Sequence, residues 1–79
     1  MSDYRPIACA RYDGLEAAIV RGLPLRVRWR DEAGGGHEGV IMPLDLGVRE
    51  GAEYLMARDG GGHPLSLRLD RIESFGPVA

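Results

Sequence analysis

Alternation of apolar and polar residues from position 65, followed by its failure at position 71, limits what this chain can fold into more than any other feature. Leu65, Leu67 and Leu69 alternate with Ser66, Arg68 and Asp70, the period of two that sets one face of a strand against a core and the other in water. Had the pattern continued, Arg71 would face the core; instead the next apolar residues are Ile72 and Phe75. Such a change of parity requires a bulge or tight turn near Asp70 and Arg71. Two short strands, about 65–70 and 71–75, therefore meet at a corner, and a sheet that turns such a corner can curl on itself and shorten its open edges.

The rest of the chain supplies partners for that corner. Pro6 lacks an N–H and pushes Arg5 towards the β region, so the lead-in from Asp3 through Cys9 is extended. Asp13 with Glu16 three residues later matches a capping box and predicts a helix over about 13–22, with Leu15, Ala18 and Ile19 on one face and Gly22 and Pro24 as its stop. A helix this short needs docking against a sheet to persist. Strands follow at about 23–30, 37–44 and 53–58. In the first, Leu25, Val27 and Trp29 point inward and Arg26, Arg28 and Arg30 outward; in the second, Pro43 marks an edge or bulge. Residues 45–52 are expected to form a polar loop. The stretches RDEAGGGH, starting at Arg30, and RDGGGH, starting at Arg58, echo one another as two hairpin turns rich in Asp and Gly. One helix and about five strands in a single domain, 1–79, predict a mainly β protein: a small, bent barrel of the Sm-like kind preceded by one short α-helix. An OB-fold is the neighbouring solution, but it usually places a helix between its third and fourth strands, where this chain has only a glycine-rich turn.

Composition narrows the function classes. With 79 residues, 44% hydrophobic and 28% charged, the chain is of ordinary globular composition, though a domain of this size buries only about 60% of its unfolded surface. A net charge of −2 argues against a protein whose main task is to grip phosphate backbones and suits a basic partner better. The single cysteine, Cys9, excludes an internal disulfide. With neither a bilayer-length apolar run nor the pattern of a signal peptide at the start, the expectation is a cytoplasmic protein. His37 and His63 sit in glycine-rich turns and make no ligand set with Cys9 at a usual metal spacing. Neither glycine triplet opens a helix or carries the Lys-Ser/Thr of a phosphate loop, and Ser66 and Ser74 lack a nucleophile elbow. No enzyme, metal or cofactor is expected. The outward arginines Arg26, Arg28, Arg30 and Arg68 could line an RNA groove with Trp29 or Tyr54 as stacking platforms, whereas Glu38, Glu53 and Asp70 could neutralise them by cross-strand pairing.

An ordered set of short motifs spans nearly the whole chain: Tyr4-x-Pro6-Ile7-x-Cys9, Tyr12-Asp13-x-Leu15-Glu16-x-Ala18, Glu53-Tyr54-Leu55 and Leu67-Arg68-Leu69-Asp70-x-Ile72-x-Ser74-Phe75. In order and spacing it resembles the Rho-binding antiterminator (Rof) family. The resemblance implies an Sm-like barrel with an N-terminal helix that binds the RNA-binding N-terminal domain of the transcription termination factor Rho, blocks RNA loading and reduces Rho-dependent termination. It implies further that Tyr12, Asp13 and Glu16 on the helix, with Asp45, Arg49, Glu50 and Glu53 in the following loop, face Rho, and that the protein is a monomer without direct nucleic-acid binding. Ala10 and Arg11 stand where the family pattern has acidic residues, and Glu50-Gly51 where it has a polar or basic pair. The competing expectation is an Sm-like RNA-binding module able to form a ring through its edge strands.

Overall fold

The corner after Leu69 is a 3-10 turn. The computed structural model describes residues 4–78, so Asp3, where the expected lead-in starts, lies outside the described residues. The element order is helix α1 (Cys9–Arg21), strands β1 (Leu25–Arg30), β2 (Gly36–Arg49), β3 (Ala52–Arg58) and β4 (Pro64–Arg68), the 3-10 turn (Leu69–Arg71) and strand β5 (Ile72–Pro77). Three residues per 3-10 turn bring positions i and i+3 onto one side. Leu69 and Ile72 are accordingly both buried, at 0% and 4% exposure, and the parity change costs the core no apolar residue.

The five strands form one antiparallel sheet in the order β4-β3-β2-β1-β5. Strands β4 and β5 occupy opposite edges yet are joined by only the three residues of the turn. In a flat sheet those edges would lie four strand spacings apart, about 19 Å, and three residues span at most about 10 Å. The sheet must therefore bend strongly, although β4 and β5 do not pair and it stays open.

Strand β2 makes the bend. Residues 36–41 pair with β1 and residues 42–49 with β3, and the register slips between Pro43 and Asp45. Pro43 has no N–H to give the ladder and sits at this bulge, as its position in the sequence predicts. The polar loop expected at 45–52 is corrected: β2 continues to Arg49, with Leu46 opposite the buried Leu55. A two-residue hairpin closes it through Glu50 and Gly51, at φ 53° and 78°, the positive pair that a tight, right-twisted hairpin requires.

Helix α1 also departs from expectation. It starts one turn early, at Cys9 instead of 13, and no side chain caps it; the N–H groups of Arg11 and Tyr12 bond to the Ala8 carbonyl. Asp13 thus falls in the second turn, where the N–H groups are already engaged by the helix and a carboxylate has nothing to cap. The far end is as expected. Gly22 adopts φ 65°, and the N–H groups of Leu23 and Gly22 bond to Ala18 and Ile19 in a Schellman closure.

Leu15 and Ala18 of the helix enter the concave side of the sheet, in a core with Leu25, Val27, Ile41, Leu55, Leu67, Leu69 and Ile72. The helix also meets β5. A Cβ at Gly14 would lie 3.3 Å from the ring of Phe75, and Arg11 sets its guanidinium 5.7 Å from that ring's centre while donating to the Ile72 carbonyl. Arg11, one of the departures from the family pattern, here ties the helix to the strand after the corner. Phe75 is half-buried and Leu67 is 5% exposed.

Because Leu69 is fully enclosed at the corner, Leu69→Ala is expected to destabilise the fold by about 2 to 5 kcal/mol. Urea denaturation checks this: the midpoint should fall with an unchanged slope, and a shift under about 0.5 kcal/mol, the size of a surface change, would mean that the corner is not part of the core.

Candidate functional site

Around the corner the side chains form a polar knot. Arg68 grips Asp70 with two parallel bonds, Nε to Oδ1 at 2.8 Å and Nη2 to Oδ2 at 2.7 Å, and the Arg5 N–H donates to the same Oδ2 at 3.1 Å. Two charge-assisted bonds in a fork are the strong form of this contact, and both side chains are nearly enclosed, at 13% and 12% exposure. The Arg68 hydrogen bonds, with the Arg5 N–H, hold the Asp70 carboxyl below its ordinary 3.8. Above, the Tyr4 ring meets the Arg68 guanidinium and its hydroxyl donates to Glu53 at 3.1 Å; burial first, and that bond second, push the hydroxyl up to about 12. The chain before the helix, the β3 strand and the corner are thereby fastened together.

The residues expected to face a partner fall into two groups. Asp13 and Glu16 are exposed on α1, one turn apart, and make no side-chain hydrogen bond or ion pair among the described residues; Tyr12 beside them is half-buried against the core. The second group lies on the β2–β3 hairpin and is more occupied. Asp45 accepts from the Leu46 N–H, Arg49 stacks 4.7 Å from the centre of the Tyr54 ring, Glu50 makes the turn and Glu53 serves Tyr4. Among the described residues no hydrogen bond, ion pair or ring contact joins Asp13 or Glu16 to Asp45, Arg49, Glu50 or Glu53, so the two groups are separate patches, with the helix carboxylates the freer one.

A cleft of about 460 Å³ opens where the bent sheet fails to close, lined among others by Trp29, Arg30, Tyr54, Arg68 and Arg71. Of the four arginines named from the sequence, Arg30 and Arg68 reach it; Arg26 and Arg28 do not. Arg71 was missed: its spacing from Arg68 bridges the parity break, so no strand pattern puts the two together. Trp29 is half-buried, not fully inside, and stacks across the strands on His37 with ring centres 5.5 Å apart. Neutralisation follows the expected logic with one exchange. Arg28 pairs with Glu38 at 3.4 Å and Arg68 with Asp70, but Glu53 serves Tyr4 and it is Glu73 that pairs with Arg30, at 3.0 Å.

The echoed RD…GH stretches share one construction. Asp31 accepts from the N–H groups of Ala33 and Gly35, and Asp59 from those of Gly61 and His63. In both turns the preceding arginine donates to the carbonyl of a positive-φ glycine, Arg30 to Gly34 and Arg58 to Gly62. His37 and His63 approach the turn aspartates at 2.7 and 3.3 Å. The His37 bond chiefly lowers the Asp31 carboxyl, and the His63 N–H that of Asp59. These histidines complete turns, and among the described residues no three His, Cys, Asp or Glu side chains gather as a metal would need.

Asp70 has its acidity raised in the folded state, so it contributes stability that is present above the ordinary carboxylate range and lost as pH falls through its lowered folded value. Asp70→Asn is expected to cost about 1 to 3 kcal/mol near neutrality. The gap to the wild type should close only when melting is followed below the ordinary carboxylate pKa; a gap independent of pH would mean that the ion pair contributes nothing.

Residues 10–77 match the WYL domain. The chain is 38% identical over 72 residues, 91% of its length, to "Protein rof" of Escherichia coli (strain K12), 80% of which is covered, and equally so to "Protein rof" of Shigella flexneri. Among solved structures it is similar to the proteasome accessory factor B/C (PafBC) of Arthrobacter aurescens, with a TM-score of 0.79 at 24% identity over 98% of this chain; it spans only 13% of that one, and the likeness concerns the fold alone.

Proposed function

This chain belongs to the Rof family and to the WYL domain family, and on that footing we propose that it is a non-enzymatic, cytoplasmic regulator that binds the RNA-binding N-terminal domain of termination factor Rho and blocks RNA loading, reducing Rho-dependent termination. The observation that carries the reading is the free carboxylate pair Asp13 and Glu16 on an exposed helical turn. A surface that holds RNA is cationic, and unpaired carboxylates on a rigid helix steer towards it and compete with phosphates. Asp45, Arg49 and Glu50 on the β2–β3 hairpin form a second, weaker contact, since Asp45 already accepts from Leu46 within the chain and Arg49 carries the sign of charge that a cationic surface repels. Tyr12 and Glu53 shape the two patches from behind. We read the bent sheet as a partly open, monomeric Sm-like barrel; the strand order and the three-residue link between its edges support this. No helix is long and apolar enough to cross a membrane among the described residues.

The open cleft favours a second reading, an RNA-binding module. Arg30, Arg68 and Arg71 converge there beside Trp29 and Tyr54, the mixture that single-stranded nucleic acid uses. Against it, Arg30 and Arg68 are held by Glu73 and Asp70, which compete with phosphate.

Neither Asp13 nor Glu16 caps the helix, so Asp13→Arg with Glu16→Arg should leave the melting curve within about 0.5 kcal/mol of wild type. Affinity for Rho should fall roughly tenfold to a hundredfold, most of it at low salt. Displacement of labelled RNA from Rho is the measurement. A folded variant that displaces RNA at wild-type concentrations would remove the helix from the interface, and an oligomer that binds RNA without Rho would support the cleft reading.

A further inference from the structure

Alternation along β2 puts Ile41 and Pro43 into the core and leaves Val40 and Met42 on the opposite, convex face, each 36% exposed; Leu44, pushed out by the bulge, is 46% exposed. Arginines flank the apolar stripe: Arg26 stands opposite Val40 on β1 and Arg58 opposite Met42 on β3. Where the stripe passes the bulge it opens into a concavity of about 460 Å³, lined by Leu44, Met56, Pro64 and Ser66 with Arg49 and Arg58 at its rim.

The charges here are unspent. Arg28 and Arg30 have carboxylates at 3.4 and 3.0 Å, whereas Arg26, Arg49 and Arg58 make no ion pair among the described residues. Arg58 donates to the Gly62 carbonyl, and Arg49 lies over the Tyr54 ring. Stacking fixes a guanidinium plane and leaves its N–H fork for a carboxylate, so less rotamer freedom is lost when a bidentate pair forms.

We propose that the convex face of β2–β3–β4 is a docking site for an acidic, apolar protein segment, whose aliphatic side chain enters the Leu44–Met56–Pro64 concavity while flanking carboxylates pair with Arg49 and Arg58. Charge complementarity selects the acid. The lining selects protein over RNA: it is aliphatic and thioether, it suits an adaptable apolar anchor, and the Tyr54 face that could stack a base is taken by Arg49. This partner differs in sign from the cationic one proposed for α1, which packs on the concave side. The two surfaces would let one small domain bridge a basic and an acidic protein.

Fluorescence anisotropy with the full chain tests this, using a labelled amphipathic peptide of leucines at helical spacing interspersed with glutamates, and its glutamine counterpart. The glutamate peptide is expected to bind at least about tenfold more tightly, with the difference shrinking as salt rises. Arg49→Glu and, separately, Leu44→Ser should each cost about tenfold; both positions are exposed, and melting curves check that the variants fold. Asp13→Arg with Glu16→Arg should bind the peptide as wild type does, so failure here and failure of the Rho reading are distinguishable. Equal binding of the two peptides, no effect of Arg49→Glu, or displacement of the peptide by single-stranded RNA with the same Arg49 dependence would overturn the proposal.

Discussion

Asp70 is the constraint on which the rest depends. It stands in a three-residue turn that must carry the chain from one edge of the sheet to the other, and it accepts from a side chain on the strand before it and a backbone N–H far upstream. A charge this enclosed is costly to bury unless its bonds are complete. Here the Arg68 fork and the Arg5 N–H complete them, and no buried side-chain polar atom among the described residues lacks a partner. The knot thereby positions the chain just ahead of α1, so the direction in which the helix enters, and hence where Asp13 and Glu16 point, follows from the corner.

This arrangement explains why the family motifs lie where they do. Tyr4, Glu53, Arg68 and Asp70 belong to three separate pieces of sequence and meet in one cluster, while Leu67, Leu69 and Ile72 form part of the core. Most of what makes the chain resemble its family is thus the apparatus that closes the fold. The two acids of the helix are the exception, carrying no structural duty among the described residues.

A net charge of −2 also hides a segregation. Among the described residues, unpaired carboxylates lie on the helix and unpaired arginines on the convex sheet face, whereas in the open cleft Arg30 and Arg68 are paired with Glu73 and Asp70. Since Arg26, Arg28 and Arg30 alternate with inward-facing residues along β1 and Arg58 follows the buried Ala57 at the end of β3, the strand period fixes which face they share, and the bulge at Pro43 marks where the two halves of the sheet part.

From the amino-acid sequence alone, the class of fold, the parity break and its apolar flanks, the helix stop at Gly22, the bulge at Pro43 and the two aspartate turns were all legible. Each rests on a local rule: side-chain period, a missing N–H, or a residue that tolerates positive φ. The helix start was not, because Asp13 and Glu16 have the spacing of a capping box but the helix is held by Arg11 on Ile72 and Phe75, contacts 61 and 64 residues away that no local pattern carries. Nor was the continuation of β2: Asp45 and Glu50 look like loop residues, and only Leu55 across the sheet draws Leu46 into register. The convergence of Arg30, Arg68 and Arg71 on one cleft likewise belongs to the bend. Local chemistry determined which segments became strands and turns; tertiary structure decided which side chains met, because a three-residue link forces the two edges of the sheet towards each other and brings together residues that sequence holds apart.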